Sequence, residues 1–217
     1  MPASGQEIEA KFYVNNLDAI KTRLQKLEAR LIQPRVLETN IRFDLPDGGL
    51  RSEGRVLRLR QDSEARLTYK SASNNDQGVL SRTEIELTIE DFGRAKQLLE
   101  ALGYQPIFIY EKFRTTYCIQ TSEGFKTSEV SVLVMLDELP YGNFVEIEGG
   151  SVEAFRKISD LLGLTWDATI AKSYHALFEH LQAEMNLPFR ELLFENFTGV
   201  YVTSNQLGVH QADSETG

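Results

Sequence analysis

Cysteine is nearly absent. Cys118 is the single one among 217 residues, so no internal disulfide can form, and its place in a β-like run suits a buried, inert thiol. Histidine is almost as scarce: His175, His180 and His210 lack the spacing of metal ligands, which argues against a zinc site. No apolar run approaches the length of a membrane span, and the N-terminus lacks the basic-then-apolar order of a signal peptide. A cytosolic address with no membrane partner is the expectation. Positive charge is in deficit, with a formal net charge of -9. That balance argues against a general nucleic-acid binder, whose affinity rests on an excess of Lys and Arg facing phosphates. Any anionic ligand would have to be met by locally concentrated basic groups. Also missing are a Gly-x-x-x-x-Gly-Lys-Ser/Thr loop, a dinucleotide fingerprint and a nucleophile elbow, which removes three common routes to nucleotide and acyl chemistry.

What the chain does have is alternation. In Glu7-Ile8-Glu9-Ala10-Lys11-Phe12-Tyr13-Val14, a strand period of two puts Glu7, Glu9 and Lys11 on one face and Ile8, Ala10, Phe12 and Val14 on the other. Alone, this reads most simply as a half-buried antiparallel strand with a solvated polar face. The pattern recurs downstream. Arg58 and Arg60 alternate with Leu57 and Leu59, Thr68 and Lys70 with Leu67 and Tyr69, and Arg82, Glu84 and Glu86 share a face. Lys112 and Arg114 flank Phe113, a run from Val130 to Leu136 ends in Asp137, and Glu146 and Glu148 alternate with Val145 and Ile147.

Between these strands the spacing predicts helices. One runs from Leu17 through Leu31 until Pro34 stops it, ahead of a strand from Val36 to Phe43 and a turn over Asp44 to Gly49. A second is capped by Asp91 and stopped at Gly103; a third is capped by Ser151 and stopped at Gly163. A last helix covers residues 168–185. Residues 186–197 carry enough apolar side chains to pack on the body, whereas residues 198–217 are polar and aperiodic and read as a disordered tail.

The ionic faces carry Glu7, Glu9, Glu84, Glu86, Asp137, Glu146 and Glu148 against Lys11, Arg58, Arg60, Lys70, Arg82, Lys112 and Arg114. In an open sheet these would be solvated charges, each cross-strand pair contributing a fraction of a kcal/mol. In a barrel with the ionic faces inward they would be desolvated, and costly unless water, metal and an anionic ligand satisfied them. Polyphosphate chemistry would use such an interior. Arg and Lys hold phosphate oxygens, and clustered carboxylates hold Mg²⁺ or Mn²⁺. A glycosidase would also use paired carboxylates, but it leaves the basic strands unexplained.

These residues resemble the CYTH family, or triphosphate tunnel metalloenzymes, which includes class IV adenylate cyclases and thiamine triphosphatases. The resemblance rests on Glu7-x-Glu9-x-Lys11, Arg58-x-Arg60, Lys70, Arg82-Thr83-Glu84-Ile85-Glu86, Lys112-x-Arg114, Asp137, Glu146-x-Glu148 and Lys172-Ser173-Tyr174, in that order. It implies an α+β fold, a closed eight-stranded antiparallel β-barrel with helices packed outside, spanning residues 1–185. It further implies catalytic Glu7, Glu9 and Lys11, and substrate contacts from Lys11, Arg58, Arg60, Lys70, Arg82, Lys112, Arg114 and Lys172. Metal contacts would come from Glu7, Glu9, Asp137, Glu146 and Glu148, with Mg²⁺ or Mn²⁺ as cofactor. Arg82, Glu84 and Glu86 either bind ligand or brace the tunnel. The substrate would be ATP, thiamine triphosphate or inorganic triphosphate, the reaction cyclisation or hydrolysis, and the alternative a non-catalytic binder of a polyanion. A homodimer stays open.

Overall fold

The computed structural model describes residues 6–76, 79–122, 129–149 and 151–213. The chain opens with β1 (Gln6–Val14) and α1 (Leu17–Lys26), whose N-terminus is capped by the Asn16 side chain accepting from the Ala19 N–H at 2.9 Å. The helix buries Ile20 and Leu24 and ends at Lys26, because Glu28 takes a left-handed conformation (φ 55°) and turns the chain into β2 (Arg30–Asp44). Leu31 and Pro34 therefore belong to a strand, not to the expected helix. Proline is tolerated there because the β2–β7 register slips on either side of Gln33, so no ladder bond is demanded of it.

There follow α2 (Gly49–Ser52), β3 (Val56–Gln61), β4 (Ala65–Lys70), β5 (Asn74–Asp76) and β6 (Val79–Ile89), then α3 (Phe92–Ala101), β7 (Gln105–Ser122), β8 (Glu129–Leu139) and β9 (Gly142–Glu148). The last elements are α4 (Val152–Leu161), α5 (Tyr174–Met185) and α6 (Ser204–Leu207). Asp91 and Ser151 cap α3 and α4 as their sequences predict. The final long helix begins later than its apolar spacing suggests: Ser173 caps α5 by accepting from the Ala176 N–H at 3.2 Å, and Trp166–Ala168 form a separate 3₁₀ turn.

The strands pair in the order β1-β9-β8-β7-β2-β3-β4-β6, and β6 pairs back onto β1, so the antiparallel sheet wraps into a ring of eight strands with β5 appended to β6. The period of two then separates the chemistry. Outward positions form the hydrophobic core against the helices. Phe12, Val14, Val145 and Ile147 pack with Ile20 and Leu24 of α1 and Phe155 and Ile158 of α4, while Ile41, Phe43 and Leu59 pack with Leu99 of α3. Inward positions are ionic along most of the ring and switch to aromatic at one end. There Tyr13, Phe108, Tyr110 and Phe144 meet Tyr174, Phe178 and Leu181 of α5. Gly142 (φ 146°) is required at this end, since a Cβ on it would lie 2.7 Å from Cε2 of Tyr13.

Residues 198–213 correct the expectation of a disordered tail; 214–217 lie outside the described residues. Leu192 joins the edge of β7, donating to Ile109 O at 2.9 Å and accepting from Glu111 N at 2.9 Å. Leu207, Val209 and Ala212 are buried, Ala212 N donates to Tyr13 O at 2.9 Å, and the Asp213 carboxylate accepts from Asn15 N and Asn16 N at 2.9 Å each. The segment shows no helical or strand period because it is held by main-chain pairing and a few apolar anchors, neither of which needs periodicity.

Candidate functional site

The register brings the ionic faces together. Glu7 lies opposite Arg82, Glu9 opposite Glu148, Lys11 opposite Glu146, Arg58 opposite Thr68, and Lys70 opposite Glu84. Because each inward residue pairs with an inward residue, every strand of the ring except β8 delivers charge to one cavity of about 680 Å³. Its walls include Glu7, Glu9, Lys11, Arg58, Arg60, Lys70, Arg82, Glu84, Glu86, Lys112, Arg114, Glu146, Glu148 and Lys172. Twelve Lys and Arg side chains line it against eight carboxylates, in a chain whose net charge is -9. The sign of the interior is thus opposite to that of the molecule.

The charges are interlocked. Glu7 accepts from Lys70 and, at 2.8 Å, from Arg82 Nε; Lys70 also faces Glu84 at 3.2 Å. Lys11 pairs with Glu146 at 3.3 Å and stands 4.3 Å from the centre of the Tyr174 ring, a cation–π contact in a buried setting. Glu38, only 1% exposed, sits among Lys112 at 3.6 Å, Arg60 at 3.7 Å and Arg114 at 3.9 Å. Burial alone would raise its carboxyl, but Lys112, Arg114, Arg60 and Arg58 outweigh that and carry it down to about 2. Glu146 is likewise held well below the usual carboxylate range, burial being outweighed by Lys11 and Arg114. Glu148 goes the other way. Burial, then the nearby charge of Glu7, pushes it up to about 7.

One expected site residue lies behind the cavity wall, and another reaches the cavity from a different element than its spacing suggests. Asp137 is wholly buried and does not line the cavity. Its carboxylate accepts from Lys112 Nζ at 2.9 Å, from Arg114 Nε at 2.6 Å and Nη2 at 2.5 Å, and from the Tyr174 hydroxyl at 2.9 Å. Four donors occupy it, so it orients the two cations from behind. Lys172 is at the rim, in the loop before α5 rather than on that helix; its carbonyl accepts from Lys11 Nζ at 3.3 Å.

The cavity is also lined by residues not expected from the sequence, namely Glu38 and Arg42 on β2, Tyr110 on β7, and a rim of Arg51, His175 and Glu179, with Asn40 fully buried between the first two. The signal for the three β2 residues was present, since Glu38-x-Asn40-x-Arg42 alternates inside a predicted strand. The rim could not be read that way. Arg51 Nη2 meets Glu179 at 2.9 Å from two different helices, and His175 stacks on Phe108 with ring centres 4.1 Å apart. Burial and then Arg42, whose Nη1 is 3.2 Å from His175 Nδ1, lower that imidazole to about 4.

Among the described residues, no group of three or more His, Cys, Asp or Glu side chains is already arranged to hold a metal ion. The carboxylates differ in how well they suit one. Glu146 and Asp137 are saturated by cations, whereas Glu9 and Glu148 face each other across β1 and β9 with like charge, and Glu148 has no ion-pair partner among the described residues. A hard divalent cation takes oxygen ligands of this kind, and Glu7, whose charge acts on Glu148, lies near that pair but is already engaged by Lys70 and Arg82.

The CYTH domain family matches residues 5–154. A protein of Methanocaldococcus jannaschii named as a candidate adenylate cyclase is 27% identical over 170 residues, covering 77% of this chain and 95% of that one. Among solved structures, a Pyrococcus horikoshii protein is 25% identical with a TM-score of 0.62, covering 80% of this chain and 98% of its own. A Hippeastrum protein, described as a candidate adenylyl cyclase with a dominant triphosphatase activity, is 19% identical with a TM-score of 0.53. That last match covers 94% of this chain and all of the other, and at this identity it shows the fold alone.

Proposed function

Because the chain belongs to the CYTH domain family, we propose that it is a divalent-metal-dependent enzyme that processes a triphosphate inside the ring, with the eight strands acting as a closed barrel around a tunnel. The observation that carries this reading is the reversal of charge: twelve cations against eight carboxylates line the cavity of an acidic protein. Desolvating that many charges is costly, and a polyanion is the ligand that offsets the cost.

Arg58, Arg60, Lys70, Arg82, Lys112 and Arg114 would bind the phosphate oxygens, the guanidinium groups as forks and the ammonium groups as point charges, and Lys172 would meet the ligand at the rim. Lys11, held between Glu146 and the Tyr174 ring, places its ammonium where charge on the reacting phosphoryl group would be stabilised. Asp137 and Glu38 hold Lys112 and Arg114 in place, and Tyr174 fixes Asp137 in turn. Mg²⁺ or Mn²⁺ would be held by Glu9 and Glu148 with Glu7, and when bound would neutralise phosphoryl oxygens. The aromatic end under α5 excludes water from one side of the cavity.

Two reactions use such a site: attack by a ribose 3′-hydroxyl, giving a cyclic nucleotide and pyrophosphate, or attack by water, giving orthophosphate. The name of the Methanocaldococcus jannaschii relative favours the first. Incubation with Mg²⁺ or Mn²⁺ and ATP, thiamine triphosphate or inorganic triphosphate, with products resolved by phosphorus NMR, separates them. The lack of a preassembled three-carboxylate group among the described residues favours one other reading, a non-catalytic polyanion binder. Tight binding without turnover under all these conditions would establish it.

A further inference from the structure

Asn40 is the one neutral member of the β2 row Glu38-x-Asn40-x-Arg42, and it has no exposed surface. It faces Arg60 of β3 on one side and Tyr110 of β7 on the other, with Arg58 and Lys112 one inward position away. Neither its Nδ2 nor its Oδ1 has a hydrogen-bond partner among the described residues. The same patch of wall holds three more buried, unpartnered donors, the Nε atoms of Arg42, Arg58 and Arg60. A buried amide with both ends unpaired is destabilising by about 1–3 kcal/mol per group, and native proteins rarely keep one without a use. A leucine, with the same branching and number of heavy atoms, would remove that cost, and an aspartate would go further and pair with the guanidinium groups beside it. The residue present does neither.

We propose that Asn40 is a positioning residue for the anion site. Its unpaired Oδ1 is the acceptor toward which the equally unpaired Nε donors of Arg58 and Arg60 would turn as a triphosphate enters, while its neutrality leaves their charge available. Tyr110 lies directly opposite it on the next strand, and its hydroxyl is held below the usual tyrosine range because Arg58 and Lys112 outweigh burial. The contrast lies two residues away: Glu38 already pairs with Arg60, Lys112 and Arg114, and a second carboxylate at position 40 would neutralise the wall. This inference rests on the reading of the ring as a triphosphate site.

The test uses the full chain, inorganic triphosphate as probe, titration calorimetry for affinity and thermal unfolding without ligand for stability. Asn40→Asp is expected to unfold at the same or a higher temperature and yet bind triphosphate at least about tenfold more weakly, equivalent to about 1.4 kcal/mol. Asn40→Leu is expected to unfold at the same or a higher temperature and to bind about fivefold more weakly. A purely structural role would move stability and affinity together, and the added charge of Asn40→Asp weakens anion binding by itself, so the neutral Asn40→Leu, with stability held and affinity lost, is the diagnostic result. Should Asn40→Asp fail to fold, Asn40→Leu decides alone. Wild-type affinity in every folded variant would overturn the proposal for Asn40, whereas a wild-type protein that does not bind triphosphate at all would overturn the site reading beneath it.

Discussion

Asp137→Asn separates two roles for the same carboxylate. The substitution keeps the shape and removes the charge from a wholly buried site where Lys112, both donors of Arg114 and the Tyr174 hydroxyl converge. It also puts an amide N–H against at least one of those donors. Breaking a buried ion pair by removing one partner costs about 3–5 kcal/mol. The lower end applies here, because Glu38 still faces Lys112 at 3.6 Å and Glu146 still holds Arg114. For a chain of this size each kcal/mol moves the melting temperature by about 2–4 °C, so a fall of roughly 6–12 °C is expected in a calorimetric scan. Affinity for triphosphate should fall as Lys112 and Arg114 lose their orientation, while the Mg²⁺ concentration giving half-maximal turnover should stay as in the wild type. An unchanged melting temperature together with a several-fold rise in that Mg²⁺ requirement would show that Asp137 meets the metal, and the positioning argument would be refuted.

Glu9→Gln should abolish most metal-dependent turnover with the fold intact by circular dichroism; unchanged rates across a Mg²⁺ titration would remove Glu9 from the metal group. Arg58→Ala should weaken triphosphate binding by about ten- to a hundredfold, the range for one lost charge-assisted contact of about 1.5–3 kcal/mol, and calorimetry reads it directly. Glu148 has a carboxyl raised from 4.5 to about 7, so between those values the folded state holds a proton the unfolded chain has released, and stability should fall as pH rises from about 5 to 8. The full effect approaches about 3 kcal/mol, and urea melts of Glu148→Gln should show that slope flattened. Glu38, carried down to about 2, has the opposite sign and its contribution is lost only as pH falls below about 4.5. Ending the chain after Thr198 removes the buried side chains of Leu207 and Val209, each contributing about 1.5–3 kcal/mol, so a loss of about 4 kcal/mol is expected in urea unfolding; an unchanged midpoint would mean that the C-terminal segment adds nothing.

Much of the molecule was legible in residue order because alternation and capping are local. Glu7-x-Glu9-x-Lys11, Arg58-x-Arg60 and Glu146-x-Glu148 mark one face of a strand whatever the strand pairs with, and Asp91 and Ser151 cap helices from within their own first turns. The misreadings share a cause. Leu31 continued a helical spacing that Glu28 interrupts, and residues 198–213 lacked any period because their order comes from β1 and from Thr165, far away in the chain. Glu38, Asn40 and Arg42 did alternate, yet only the wall they share with Arg58 and Arg60 gives their mixture of charge a meaning.

By itself, then, the sequence determined which side chains travel together, since a period of two is a property of the extended backbone. Only the tertiary structure decided which way each face points. The pairing of β6 back onto β1 closes the ring and turns the ionic faces inward. It turns separate solvated charges into one desolvated, net-positive cavity. The same closure tucks Asp137 behind Tyr174 while leaving Glu9 and Glu148 facing each other. Carboxylates that share one alternating pattern thereby acquire different chemistry, because burial and the cations around them come from strands far apart in sequence.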